Sequence, residues 1–393
     1  MIQDYTKTIR ACFMSYIVQA IVNNFVPLLF LTFEKEYGIS LSRIALLVTV
    51  NFGIQLLVDL LSAGVIDRIG YRISMITALG LCGLGLFSLT ILPDFFADPW
   101  AGFLGSVMIY GAGGGLLEVL VSPMVEACPT RNKEKAMSML HSFYCWGHVG
   151  VVLLSTIFFV VFGVENWRIL AVFWALVPVV NLTLFFKVPI APLIKEDEGI
   201  SFRTLIGKRI FWVFMLLMVC AGAGEQAVSQ WASAFAEEGL GVKKTIGDLT
   251  GPMFFAVMMG ISRALYGKYG ERIDLKKMMM GSGILCVASY VLIALSPHPA
   301  LGLLGCGLCG LSVGIMWPGT FSMASASIRG GGTAMFAFLA LAGDLGCSGG
   351  PTLVGQVSVF LGNNLKMGIL TAVLFPVMFV LILKFSVGKK SML

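Results

Sequence analysis

Apolar stretches long enough to cross a membrane fill almost the entire chain. Twelve of them run at roughly 11–33, 44–66, 73–93, 101–128, 137–162, 169–186, 210–235, 246–265, 277–297, 300–328, 332–361 and 367–387. A helix rises about 1.5 Å per residue, so about 20 residues cover the ~30 Å of hydrocarbon in a bilayer. No water reaches backbone groups there, and a helix satisfies them from within its own segment. The expected fold is an all-α membrane protein with twelve transmembrane helices. Composition points the same way. With 58% hydrophobic and 12% charged residues and a mean hydropathy of +0.91, too little charge is left to clothe a soluble chain of 393 residues. The run from Ala11 to Phe33 exceeds a signal-peptide core and no small-residue cleavage site follows it, so it is read as a retained first span.

The net charge of +6 matters through its distribution. With the N-terminus inside, 21 of the 27 Lys and Arg fall on the cytoplasmic side, among them Arg10, Arg68, Arg72, Lys208, Arg209, Arg263 and Lys384. Lys35, Arg43, Arg168, Lys243, Lys244 and Lys366 fall on the other side. The positive-inside rule then puts both termini of a multi-pass cell-membrane protein in the cytoplasm. A basic balance in such a chain reports topology, and no nucleic-acid partner is expected. The nine cysteines lie in or beside spans. Cys306 and Cys309 form a C-x-x-C without a partnering histidine and read as small packing residues, so neither a metal nor a cofactor is expected.

The longest polar stretch, 188–208, follows the sixth apolar run and contains Lys195-Glu-Asp-Glu198. It divides the chain into an N-terminal six-helix bundle at 1–187, a cytoplasmic linker at 188–208 and a C-terminal six-helix bundle at 209–393. The halves align at an offset of 200, where Asp67-Arg-Ile-Gly-Tyr-Arg72 falls opposite Gly267-Lys-Tyr-Gly-Glu-Arg272. At the same offset Glu118 meets Pro318, and Asn24 meets Gly224 beside Glu225. Parallel six-helix repeats related by an axis along the membrane normal are one plan for a transporter.

A charge inside hydrocarbon costs on the order of 3 kcal/mol or more, so an acid found there usually has a task. Asp59, Glu118, Glu225 and Asp344 are such acids. Glu118 lies mid-span in Gly113-Gly-Gly-Leu-Leu-Glu118, five residues before Pro123. The glycines let a ligand or neighbouring helix approach, the proline is expected to open the helix, and the carboxyl is placed to take up and release protons. Span seven carries Glu225, Gln226, Ser229, Gln230 and Trp231; span one carries Gln19, Asn23 and Asn24; span ten carries Trp317-Pro318. Amides, a carboxylate and aromatic plates suit a polyhydroxyl ligand, although the same groups can knit helices together. His141 and His148, seven apart in span five, share a helix face, and His141 is a candidate substrate contact. Asp59 and Asp344 are candidates for secondary proton or ion sites or for structural partners.

The segment Ala63-Gly-Val-Ile-Asp-Arg-Ile-Gly-Tyr-Arg72 resembles the signature loop of the major facilitator superfamily, with Ala63 in place of the first glycine. Asp67, Arg68 and Arg72 are the candidate conformational switch, able to bind a helix terminus in one state and release it in another. Within that superfamily the chain resembles the fucose–proton symporter family. The resemblance is carried by Asn23-Asn24, Glu118 to Pro123, Ser142-Phe-Tyr-Cys-Trp-Gly147, Trp317-Pro-Gly-Thr-Phe-Ser322 and Gly343-Asp-Leu-Gly-Cys-Ser-Gly-Gly-Pro351. It implies that Glu118 matches a membrane-embedded proton-handling glutamate, that Asn24 matches a sugar-contacting asparagine, and that His141 stands where the fucose carrier has a sugar-contacting glutamine. The family's second acid, in span one, aligns with Pro27. Protons then pass through Glu118 with help from Glu225 or Asp344, or coupling differs altogether.

These readings converge on a monomeric secondary transporter that takes up a sugar or similar polar solute with a proton by alternating access. A proton-driven exporter of lipophilic compounds uses the same fold, and a non-transporting solute sensor is a third reading. No nucleophile–base pair or metal spacing appears at a membrane face, so enzyme chemistry is not expected.

Overall fold

The computed structural model describes residues 5–129, 133–191, 202–269, 274–328 and 332–386, and all the regular structure in them is helical. Eleven helical stretches have the length and hydropathy of a membrane span. They are Thr6–Tyr37, Leu41–Leu61, Tyr71–Ser88, Pro99–Val125, Met139–Phe162, Val164–Phe185, Arg209–Ser229, Lys244–Tyr266, Leu275–Leu295, Pro299–Ala324 and Leu365–Phe385. They correspond in order to expected spans one to ten and twelve. The stretch expected as span eleven is a single helix, Gly332–Phe360, whose 29 residues reach about 40 Å and suffice to cross. Large apolar side chains stay exposed on the outside, including Leu154, Ile157 and Val161 on span five and Phe173 and Val180 on span six. In water such a surface would aggregate, whereas against acyl chains it is the solvated face.

The chain divides into two compact units, Met1–Ile194 and Lys195–Leu393. Each repeats one packing plan. In the first, span one packs on five, two on four, three on four and three on six; in the second, seven packs on eleven, eight on ten, nine on ten and nine on twelve. Glycines set the spacing at contacts in both units. A Cβ on Gly113 of span four would lie 2.6 Å from Ala78 O of span three, and one on Gly350 of span eleven 2.6 Å from Ala223 O of span seven. Lipid gives helices no hydrophobic reason to associate, so close backbone packing at small residues supplies the contact energy. Of the expected linker, residues 192–201 lie outside the described residues, as do 270–273 of the second-half loop.

Four spans are broken where the sequence places proline or polar residues, among them span twelve, which stops at Thr371 and restarts at Leu374. Span one leaves α-geometry after Asn24, turns through the 3₁₀ segment Val26–Leu29 containing Pro27, and resumes at Phe30–Tyr37. Span seven is interrupted at Gln230–Trp231, and span ten between Val313 and Met316. The expected opening of span four does not occur. Helix Pro99–Ala127 runs unbroken through Pro123, since a transmembrane helix can absorb a proline by small local adjustment.

At one end of the first unit, Arg168 grips Asp94 with two hydrogen bonds of 2.5 and 2.9 Å and also donates to Tyr37 Oη. Arg168 thereby ties the short helix Leu92–Phe95 to spans one and six. The hydrogen bonds from Arg168 hold the Asp94 carboxyl below the usual carboxylate range. A group with a lowered folded-state pKa contributes stability above its unfolded value and loses it as pH falls through the folded one. The difference in thermal midpoint between the wild type and Asp94→Asn should therefore be small but constant at neutral pH, begin to shrink near about pH 4 and vanish only below the lowered folded-state value. A second measurement addresses packing. Gly350→Leu should destabilise the second unit by at least ~1–3 kcal/mol through overpacking against Ala223, read as a fall in the melting midpoint of the detergent-purified protein.

Candidate functional site

Four amides form a buried network in the first unit. Gln19 Nε2 donates to Gln55 Oε1 at 2.9 Å, Gln55 Nε2 to Asn23 Oδ1 at 2.9 Å and to Asn51 Oδ1 at 3.1 Å, and Asn51 Nδ2 to Asn23 Oδ1 at 3.2 Å. Gln19 Oε1 is buried with no hydrogen-bond partner among the described residues. Gln19 and Asn23 are the expected span-one residues. Their partners Asn51 and Gln55 went unread, although with Asp59 they recur every fourth residue and mark one polar face of helix Leu41–Ile69. Span four lies close against that face, because a Cβ on Gly115 would sit 2.8 Å from Gln55 Cα and one on Gly114 3.2 Å from Gln19 Oε1. The glycines before Glu118 thus admit neighbouring helices.

One turn along from Gln55 and from Gly114 stand Asp59 and Glu118. Their carboxylate oxygens approach within 4.8 Å of one another, and both side chains keep partial exposure. One turn further along span four, Ser122 Oγ is 3.0 Å from Tyr16 Oη, and the Tyr16 ring meets His141 edge-on at 5.4 Å between centroids. Asn24 Nδ2 is held by Ala20 O at 2.9 Å and Tyr144 Oη at 3.4 Å. His141 and His148, expected on a shared face, differ in environment: His141 is exposed and His148 buried. The face is shared in register, but span one covers it at Gly147, where Ala20 and Ile17 come within about 3 Å of a would-be Cβ.

Of the expected switch residues, Asp67 and Arg68 belong to helix Leu41–Ile69 and their side chains lie outside the described residues. Arg72 reaches across to the C-terminus of span six and donates to Phe185 O and, at 2.8 Å, to Val188 O. A cation there satisfies carbonyls that a helix end leaves open and meets the negative end of its dipole. Gly70, with φ +87, makes the tight entry into span three that aims Arg72.

In the second unit the polar stripe of span seven is largely self-contained. Gln226 Nε2 donates to Glu225 Oε1 at 3.1 Å and Gln230 Nε2 to Gln226 Oε1 at 2.9 Å. Trp231 is fully enclosed, its indole N–H donating to Pro351 O at 2.9 Å, so it acts as a packing donor between spans seven and eleven. Trp317 retains partial exposure and packs its ring on the backbone at Gly343, next to buried Asp344. Of the ten expected substrate contacts, Glu118, His141 and Trp317 keep accessible surface and the other seven are buried.

Two features of this unit escaped the sequence reading. Arg263, counted among cytoplasmic charges, lies within span eight and brings Nη2 to 3.6 Å from Glu225 Oε2. Asp248, a further buried acid, pairs with Lys244 at 3.2 Å and bonds Ser233. Both were legible as charged residues inside or beside an apolar run, but helix-end counting assigned or skipped them.

Comparison with known proteins matches residues 11–351 to the model of the Major Facilitator Superfamily. The chain is 22% identical to Membrane protein MosC of Rhizobium meliloti over 280 residues, 70% of this chain and 67% of that protein. Its fold superposes on a variant of the E. coli fucose:proton symporter FucP with TM-score 0.67 at 17% identity, covering 98% of this chain and 100% of the other. It superposes on the nucleoside transporter NupG with TM-score 0.77 at 12% identity, covering 96% and 99%.

Gln55 is the hub of the amide network, and Gln55→Leu should cost about 1–3 kcal/mol for each polar atom it leaves unsatisfied. The variant should melt earlier than the wild type in detergent.

Proposed function

The chain belongs to the Major Facilitator Superfamily and is a membrane transporter, and from that premise we propose that it carries a sugar or similar polyhydroxyl solute inward together with a proton. The observation that carries this reading is the pair formed by Asp59 and Glu118, within 4.8 Å of each other inside the membrane-spanning region. Two carboxylates at that distance repel strongly where water is scarce, and a single proton shared between them relieves the repulsion. Such a pair needs no second acid in span one, which accounts for Pro27 at that position. The proton arrives from one side of the membrane, neutralises the pair for loading, and leaves to the other side with the solute.

The solute side of the reading rests on the groups beside the pair. Gln19 Oε1 offers an open acceptor, and Glu118 and His141 keep accessible surface around Tyr16 and Ser122. Hydroxyls can exchange for the weak 3.4 Å bond between Asn24 and Tyr144. The named substrates of FucP and NupG, fucose and a nucleoside, both present a hydroxylated ring, in keeping with this chemistry. Alternating access would proceed by each six-helix unit moving as a body, with residues 188–208 as the link and Arg72 releasing the end of span six as the switch. The monomer would sit in the cell membrane with both termini in the cytoplasm.

The test is transport by the full chain in proteoliposomes against a panel of hexoses, pentoses, nucleosides and lipophilic dyes. Uptake of one hydroxylated solute should rise with an inward proton gradient. Glu118→Gln, fixed in the neutral form, should reduce gradient-driven uptake to background while retaining solute exchange across vesicles at equal pH. Gradient-driven uptake that persists in this variant, or transport confined to the dyes, would remove the proposal.

A further inference from the structure

Pro318 has no N–H, so the carbonyl four residues earlier, Gly314 O, has no helical partner. Span ten breaks at that point: helix Pro299–Val313 ends with Gly314, and the helix Met316–Ser327 begins after Ile315. The backbone ladder resumes at once, Gly319 N–H bonding Ile315 O at 2.8 Å. Gly314 O instead accepts from Arg263 Nε at 3.3 Å. Span eight can lie this close because Gly314 has no side chain; a Cβ there would meet Ser262 Cβ at 2.7 Å and Met259 O at 2.9 Å. The far edge of the same guanidinium is 3.6 Å from Glu225 Oε2, and both side chains are mostly shielded, at 17% and 9% exposure. One arginine therefore joins the orphaned carbonyl of span ten to the acid of span seven.

We infer that Arg263 is a positioning residue that holds Glu225 as a permanent carboxylate, making Glu225 a fixed hydrogen-bond acceptor and leaving proton traffic to Asp59 and Glu118. A guanidinium remains protonated at every physiological pH. Its fork reaches in two directions at once, from Nε to the carbonyl and from Nη2 to the carboxylate. A shielded ion pair is costly to break, because the partner left behind is a charge without compensation.

The other titratable groups on the elements around Glu225 do not replace Arg263. Span nine brings Tyr290, whose hydroxyl donates to Gly224 O at 2.8 Å, and Cys286; span ten brings Cys306 and Cys309. Span eleven brings Asp344 and Cys347, and the second helix of span twelve brings Lys384 only in its last turn. The fixed carboxylate then has a chemical consequence. With Gln226 donating to it and Gln230 next in line, Glu225 anchors this buried polar chain whatever the proton gradient, so the fixed acceptor and the proton-binding pair are assigned to separate places in the chain.

This inference gains its transport meaning from the proton-coupled reading, but its test does not depend on a substrate. Infrared difference spectra of the full chain in liposomes, recorded from acid to alkaline pH, count the carboxyls that gain a proton. Glu225→Gln should leave the wild-type set of protonated-carboxyl bands unchanged. Arg263→Gln should add one band, absent from the Arg263→Gln/Glu225→Gln double variant, and Arg263→Lys should restore the wild-type set. A band lost from the wild type on Glu225→Gln, or no added band in folded Arg263→Gln, overturns the assignment. Should Arg263→Gln not fold, the Glu225→Gln comparison decides alone. Bands that behave as stated in a protein whose uptake ignores the proton gradient would support the role of Arg263 and remove the proton-coupled reading.

Discussion

Every polar group that this chain carries into hydrocarbon has to find its partner within the chain, and the architecture follows from how that is done. Most backbone groups are satisfied by regular helix. The exceptions lie in spans one, seven, ten and twelve, where helices stop and restart beside Pro27, at Gln230 and Trp231, before Pro318 and before Pro376. Each break frees backbone groups or turns polar side chains toward neighbouring helices. Glycine-lined contacts make these breaks affordable by bringing donors within reach, as at Gly314, where span eight comes close enough for Arg263 to cap the carbonyl.

The two units use the same packing plan but spend their ionisable residues differently. In the first, two acids face each other beside a network of neutral amides, the arrangement proposed here to take up and release a proton. In the second, an acid faces an arginine, and further along the chain Asp248 faces Lys244, each a pair of opposite charges. On the proposed reading, Asp59 with Glu118 is the group that titrates and Glu225 with Arg263 the group that does not.

Much of this was legible in the sequence because its causes are local. Span length and hydropathy foretell eleven of the helices that meet both criteria, and the loop before Arg72 carries its signature in consecutive residues. Asp59, Glu118, Glu225 and Asp344 are conspicuous as lone acids in apolar runs. Other polar partners show only when one span is set against its neighbour. Asn51 and Gln55 are ordinary residues until their fourfold spacing with Asp59 is projected onto a helix that faces Gly115. Arg263 sits near the end of an apolar run, where a positive charge normally marks the cytoplasmic boundary, and only the approach of span seven reveals it as the partner of Glu225. Trp231 looked like a plate for a sugar ring, yet its N–H was needed by Pro351 O, a requirement that only the packing of spans seven and eleven creates.

The central claim is that the Asp59–Glu118 pair carries the proton that accompanies the solute. It is tested most directly by adding the transported solute to lightly buffered suspensions of de-energised proteoliposomes and recording external pH. Solute entering down its own gradient should draw protons in and make the medium transiently alkaline, and the signal should vanish when Asp59→Asn and Glu118→Gln are combined. Solute entry with no change in external pH in the wild type, or an unchanged alkaline pulse in the double variant, would contradict the account.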